Sequence, residues 1–134
     1  MRLVVAAVIR RGDGRFLLAR RRPGSHLAGL WEFPGGGVEA GEAAERALER
    51  EMVEELGVVV AVGKALTFAW HRDEALEVLL LFYEATIVAG VPTGLEDQDV
   101  AWFLPEEMGE LAMPPADSGI LALIGAARSG MATA

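Results

Sequence analysis

Glu51, Glu54 and Glu55 stand at positions i, i+3 and i+4. On a helix that spacing puts three carboxylates on one face, with Cβ atoms about 5–6 Å apart. Like charges so close destabilise the helix unless a cation neutralises them. Carboxylate oxygens suit hard divalent ions such as Mg2+ and Mn2+. Mg2+ usually keeps some of its waters and bonds substrate phosphates besides one or two carboxylates. Such a helix could therefore screen phosphate charge and present a water as nucleophile. The same residues also suit a solvated helix face partly paired with Arg46 and Arg50. Residue type alone leaves both readings open.

The surrounding residues narrow the choice. Gly36 to Val58 reads GGVEAGEAAERALEREMVEELGV, with seven acids (Glu39, Glu42, Glu45, Glu49, Glu51, Glu54, Glu55) against two bases (Arg46, Arg50). A glycine run leads straight into the acidic stretch, and glycine lets the backbone approach a metal or phosphate closely because it has no Cβ. The whole stretch resembles the Nudix box: Gly, five residues, Glu, seven residues, Arg-Glu, an aliphatic, any residue, Glu-Glu, any residue, Gly, an aliphatic. Gly36, Glu42, Arg50, Glu51, Met52, Glu54, Glu55, Gly57 and Val58 keep every spacing. Met52 is the departure, an apolar and adaptable residue where Ile, Leu or Val is usual. The resemblance implies an α/β/α sandwich with a mixed central sheet. It also implies hydrolysis of a nucleoside diphosphate linked to another group, with Mg2+ or Mn2+ as cofactor. Carried over by position, it implies Glu51, Glu54 and Glu55 as metal ligands, joined by the backbone carbonyl of Gly35. Arg50 would orient Glu51 by a charge-assisted hydrogen bond. Glu42, Gly36 and Gly57 would serve the geometry of the motif. Glu39, Glu45 and Glu49 read as solvated surface.

The flanks are similar to the MutT-type branch, which includes 8-oxo-dGTP diphosphatases and CTP pyrophosphohydrolases. Leu30-Trp31-Glu32-Phe33-Pro34-Gly35-Gly36 and Leu17-Leu18-Ala19-Arg20-Arg21 carry that likeness. It extends over nearly the full chain and is weakest between Val59 and Val91. It implies Arg21 and Gly36 at the substrate, and Glu96, six residues before Trp102, as a further acid of the metal site. Gly37 stands where a lysine is common, so that lysine's positive charge is absent at this position. Pro114-Pro115-Ala116-Asp117 has Asp where one branch has Asn. An ionised Asp accepts from an exocyclic amino group, whereas a protonated one donates to a carbonyl. The position also suits a helix cap. Phe33, Phe68, Trp70 and Leu81 could line a base pocket, although apolar strand residues are by default core. His26 and His71 read as solvated or packing residues.

These readings lead to a sanitising pyrophosphohydrolase acting on a small nucleotide, an oxidised or otherwise modified (d)NTP with a cytidine type among the candidates, to give the monophosphate and pyrophosphate. Water attacks the β-phosphorus in the MutT-like route, with Glu51 or Glu96 as base. Rival substrates are a nucleotide sugar, ADP-ribose or a dinucleoside polyphosphate. A non-catalytic nucleotide sensor is a further alternative, but every box glutamate is present.

The elements that must hold these residues follow from hydrophobic pattern. Leu3 to Arg10 is a strand, Gly12-Asp13-Gly14 a turn and Arg15 to Arg20 the returning strand. Pro34 to Gly37 reads as a break in regular structure. Glu42 to Leu56 is the clearest helix, with Ala43, Ala47, Leu48, Met52 and Leu56 at helical spacing and Gly57 placed to end it. Strands follow at Val58 to Val62, Lys64 to Trp70, Glu77 to Ile87 and Val100 to Leu104. An acidic loop spans Gly90 to Asp99. Helices open at Pro105 and run from Ala116 to Arg128.

At 134 residues the chain fits one domain, 1–134. It has no cysteine, which removes disulfides, thiolate zinc sites and thiol nucleophiles. A net charge of −8 argues against a nucleic-acid polymer as partner. The apolar runs are too short to span a membrane, and the N-terminal one does not read as a signal peptide. The expectation is a cytoplasmic protein, monomer or homodimer.

Overall fold

The computed structural model describes residues 1–25, 28–117 and 119–124. Among the described residues seven strands and two helices follow in the order β1 (Arg2–Ile9), β2 (Phe16–Arg20), β3 (Trp31–Glu32), β4 (Gly35–Gly37), α1 (Ala44–Leu56), β5 (Val59–Arg72), β6 (Glu77–Ala89), β7 (Val100–Phe103) and α2 (Pro105–Met108). Residues 115–117 and 119–124 are also helical. The expected end of that last helix at Arg128, like His26, lies outside the described residues.

A four-stranded mixed sheet runs in the order β4-β1-β6-β5, with β1 and β6 parallel and the other pairs antiparallel. A three-stranded antiparallel sheet runs β3-β2-β7. β1 is apolar without alternation because both of its faces are buried. Val5, Ala7 and Ile9 pack with Ala47, Leu48, Met52 and Leu56 of α1. Ala6 and Val8 pack on the other side with Phe33, Phe82, Met108 and Ile120. The mixed sheet is thus covered by α1 on one face and by α2 and the last helical residues on the other. Met52 is fully buried and fills its box position as an aliphatic would. No helix among the described residues is long and apolar enough to cross a membrane.

Two expectations need correction. β2 does not return along β1. Among the described residues the two form a backbone bridge only at Arg10–Phe16, and β2 pairs with β3 and β7 instead. The turn at Gly12-Asp13-Gly14 therefore passes the chain between sheets. Nor does Pro34 to Gly37 break regular structure, because Gly35–Gly37 forms β4 on β1, in register Val4↔Gly37 and Ala6↔Gly35. The absence of side chains permits this pairing: a Cβ on Gly35 would overlap the Val5 carbonyl.

Candidate active site

α1 begins without a side-chain cap. Its entrance is held by Glu42 and Arg50 instead. The Arg50 Nε and Nη2 donate to the two Glu42 oxygens at 2.8 and 2.9 Å, and Glu42 also accepts from the Glu39 amide. That two-pronged bond holds the Glu42 carboxyl down near 2. Arg50 Nη2 further donates to the Gly37 carbonyl at 2.9 Å, which fastens β4 to α1. Its Nη1 donates to Glu51 at 3.0 Å and to Glu54 at 3.1 Å. Arg50 thus ties together the start of α1, the glycine strand and two of the three helix-face glutamates. Gly57 ends the helix in the left-handed conformation, φ 67°, its amide and that of Val58 returning to Val53 and Met52.

Glu55 lies on the inner side of the same helix. Its carboxyl receives the Gly35 amide yet is pushed up to about 8, first by burial and then by the charges of Glu51, Glu96 and Glu32. Its Oε2 is buried without a hydrogen-bond partner. Buried polar oxygens are rarely left so. Glu51 is raised by burial against the pull of Arg50.

Glu51 and Glu55 open into a cavity of about 420 Å³. Gly35, Gly36, Glu96, Arg21, Phe33 and Asp117 line it as well. The fold therefore gathers residues from β2, the β3–β4 segment, α1, the loop before β7 and the last helical residues. Glu54 is not among the lining residues; its side chain is 54% exposed. Arg50, Glu42 and Gly57 also stay outside. Arg21 pairs with Glu32 at 2.9 Å. Asp117 is 3% exposed and accepts from the Phe33 amide at 2.9 Å. It thus ties the last helix to β3–β4, a tie that capping alone would not give.

Phe33 is buried edge-to-face against Phe82 while still lining the cavity. Phe68 and Trp70 do neither: on the edge strand β5 they are 69% and 57% exposed. Leu81 packs with the α1-side core. His71, expected as a solvated or packing residue, lines the cavity and meets Asp73 at 3.0 Å.

Two lining residues escaped the sequence reading. Glu32 sits between Trp31 and Phe33, and burial raises its carboxyl against the Arg21 charge. An acid inside a short apolar run was its signal. Arg2 is the other; its guanidinium lies over Gly37, so that a Cβ there would stand 2.8 Å from Nη2.

Among the described residues no three acids or histidines are drawn into a coordination cluster. The donor chemistry nevertheless fits a divalent cation. Arg50 takes one oxygen each of Glu51 and Glu54, and Glu55 Oε2 is unpartnered amid three other acids.

The NUDIX domain family model matches residues 1–124. The chain belongs to the Nudix family. It is 39% identical over 118 residues to the CTP pyrophosphohydrolase of Escherichia coli strain K12, covering 88% of this chain and 87% of that one. It is 34% identical over 119 residues to an 8-oxo-dGTP diphosphatase of Haemophilus influenzae, covering 88% and 87%. A crystal structure of a MutT protein from Methanosarcina mazei Go1 superposes with a TM-score of 0.83 at 26% identity, covering 95% of this chain and 94% of that one. This Nudix protein is a MutT-like hydrolase of phosphorus-containing anhydrides.

The Asp117 carboxyl in this Nudix fold is pushed up to about 7, chiefly by burial and next by Glu32, against the Phe33 amide and Arg21. The folded state therefore holds that proton more tightly than the unfolded chain, whose value is near 3.8. The resulting stability is complete below the unfolded value and is lost as pH rises through about 7. Thermal melts from about pH 5 to about pH 8 are expected to show wild type losing stability relative to Asp117→Asn, by on the order of a few kcal/mol. Parallel pH profiles for the two proteins would show that Asp117 stays charged throughout.

Proposed function

We propose that the cavity binds a nucleoside triphosphate and that the protein hydrolyses it to the monophosphate and pyrophosphate. The observation that carries this reading is the junction within one cavity of a buried, partnerless Glu55 oxygen beside Glu51 and Glu96 with the buried Asp117 and Phe33. Glu51, Glu54, Glu55, Glu96 and the Gly35 carbonyl would hold Mg2+ or Mn2+. When bound, the ion screens phosphate charge and makes water more acidic.

The chain's own residues do the rest. Arg50 fixes the Glu51 carboxylate by a charge-assisted bond. Glu51 or Glu96 takes the proton of the water that attacks the β-phosphorus; the bond from that phosphorus to the oxygen bridging the α-phosphorus breaks, the nucleoside monophosphate departs with that oxygen, and the attacking oxygen stays in the pyrophosphate. Single Gln variants at these two positions separate the roles, since only loss of the base flattens the acid limb of the pH–rate profile. Arg21 contributes positive charge to the triphosphate side. Asp117, with its carboxyl near 7, reads the base. Ionised, it accepts from an amino group as on cytosine; protonated, it donates to a carbonyl. The likeness to a CTP pyrophosphohydrolase supports a cytidine-type or broader, modified-nucleotide preference.

A panel of normal and oxidised nucleoside triphosphates, assayed with Mg2+ or Mn2+ and with products identified, tests the proposal. Pyrophosphate without orthophosphate is expected. Orthophosphate released stepwise would overturn it, as would nucleotide binding without turnover.

A further inference from the structure

We infer that Arg2 is a substrate-binding residue that contacts the phosphoryl group adjoining the nucleoside, through the space that Gly37 leaves empty. The inference rests on the proposed nucleotide reading of the cavity. It starts from strand geometry. Successive residues of a strand point to opposite faces. On β1, Val5, Ala7 and Ile9 face α1, so Arg2, Val4 and Ala6 belong to the other face, and all three line the cavity. β4 repeats the alternation at closer range. A Cβ on Gly36 would collide with the Glu51 carboxylate, whereas one on Gly37 would stand 2.8 Å from Arg2 Nη2 and 3.2 Å from Nε. The guanidinium therefore lies across β4 from Glu51, on the face that carries Phe33 and Leu80 in the second core cluster. That is the nucleoside side of the cavity, not the side of the helix-borne acids.

The second observation is electrostatic. The other arginines lining the cavity are engaged. Arg20 donates to the Gly29 carbonyl at 3.1 Å and lies over Trp31. Arg21 is paired with Glu32. Arg22 donates to the Glu96 carbonyl at 3.3 Å. Arg2 alone of the four makes no side-chain bond with a described residue, although the cavity it lines holds five carboxylates (Glu32, Glu51, Glu55, Glu96, Asp117). An exposed guanidinium that lies over a glycine and bonds no described residue is available to an anion from outside. Its planar fork suits two phosphoryl oxygens. A bound triphosphate presents two ends to the cavity, and Arg2, across β4 from Glu51, meets the end next to the nucleoside.

The test is binding, so that it does not depend on turnover. CMP, GMP and inorganic pyrophosphate are titrated with Mg2+ into wild type, Arg2→Ala, Arg2→Lys, Gly37→Ala and the double variant Arg2→Ala/Gly37→Ala, followed by NMR shifts. Arg2→Ala is expected to weaken the better-bound monophosphate about tenfold, equivalent to about 1.4 kcal/mol, and pyrophosphate less than about twofold. Arg2→Lys recovers part of the loss, because the charge returns without the fork. Gly37→Ala displaces the guanidinium and weakens the monophosphate several-fold with Arg2 present. It adds nothing once Arg2 is gone, as a cycle of two coupled residues requires. A merely structural role would move melting temperature and leave both ligands equally affected. Monophosphate affinity unchanged in Arg2→Ala, or equal losses for monophosphate and pyrophosphate, would overturn the inference. Wild type that binds monophosphate but does not hydrolyse triphosphates sinks the proposed function and leaves the Arg2 measurement decisive. Wild type that binds neither monophosphate sinks both.

Discussion

Glu55→Gln is expected to lower kcat on the order of a thousandfold, the scale of losing a group that manages transition-state charge, and to raise the melting temperature measured in EDTA. The two effects have opposite signs for one reason. The Glu55 carboxyl is buried, its Oε2 has no partner, and Glu51, Glu96 and Glu32 all repel its charge. That arrangement is unfavourable in the protein alone and becomes useful when a divalent cation supplies the missing partner. With its carboxyl near 8, Glu55 must take up a proton or bury a charge when the chain folds at neutral pH; glutamine keeps the shape without either, so that cost and the cation affinity disappear together. Glu54→Gln should also lose most of kcat with the protein still folded, but with no gain in melting temperature, because the Glu54 side chain is exposed and already meets Arg50. The measurements are steady-state kinetics with Mg2+ and melts with Mg2+ or EDTA. The Mg2+-dependent rise in melting temperature should be absent in Glu55→Gln. Near wild-type kcat in either variant removes that residue from the cation site.

The parts of this site carried by local spacing were legible in the chain, and the parts carried by strand pairing were not. Glu51, Glu54, Glu55 and Arg50 share one helix, so a 3.6-residue period is enough to place them together, and the Arg50–Glu51 bond occurs as expected, with an Arg50–Glu42 bond beside it that residue spacing did not announce. Gly57 ends that helix for a reason visible in its residue type, since only glycine takes φ 67° without cost. β4 was hidden because its three glycines are poor strand formers in isolation. They pair only because β1 lies beside them, a contact some thirty residues away in sequence. β2 was read as the return of β1 for a related reason: a tight turn suggests a hairpin, but β2, buried from Phe16 to Ala19, pairs with β3 and β7. Phe68 and Trp70 misled in the other direction. Aromatic residues in an apolar strand suggest a pocket or core, but β5 is an edge strand whose outer residues have no cover among the described residues. Glu32 and Arg2 are read only after the sheets are assembled, because each matters through a residue on a different strand or segment, Arg21 for one and Gly37 for the other.

The two glycines before the box helix are expected to fail in different ways, which separates the fold from the chemistry. Gly35→Ala places a Cβ into the Val5 carbonyl and within 2.8 Å of Ala6 Cα, both backbone atoms of β1. Neither can move without opening the β1–β4 pair, so a stability loss of about 3 kcal/mol or more is expected. Activity should fall with it, because the Gly35 amide that reaches Glu55 moves too. For Gly36→Ala the three atoms nearest the new Cβ all belong to the end of the Glu51 side chain. That carboxylate can swing aside, so the melting temperature should change by no more than about 1 kcal/mol of stability. The swing breaks the 3.0 Å bond from Arg50, and Glu51 loses the orientation that makes it useful. A loss of about a hundredfold in kcat is expected, with KM little changed. Chemical denaturation and steady-state kinetics on the two variants decide the matter. Wild-type kcat in Gly36→Ala would mean that the position of Glu51 is not required for turnover. Wild-type stability in Gly35→Ala would mean that β4 does not hold β1 at the close range that its glycines permit. If both expectations hold, Gly35 serves the sheet and Gly36 serves Glu51, with one peptide bond between a residue that fixes the backbone and one that clears space for a carboxylate.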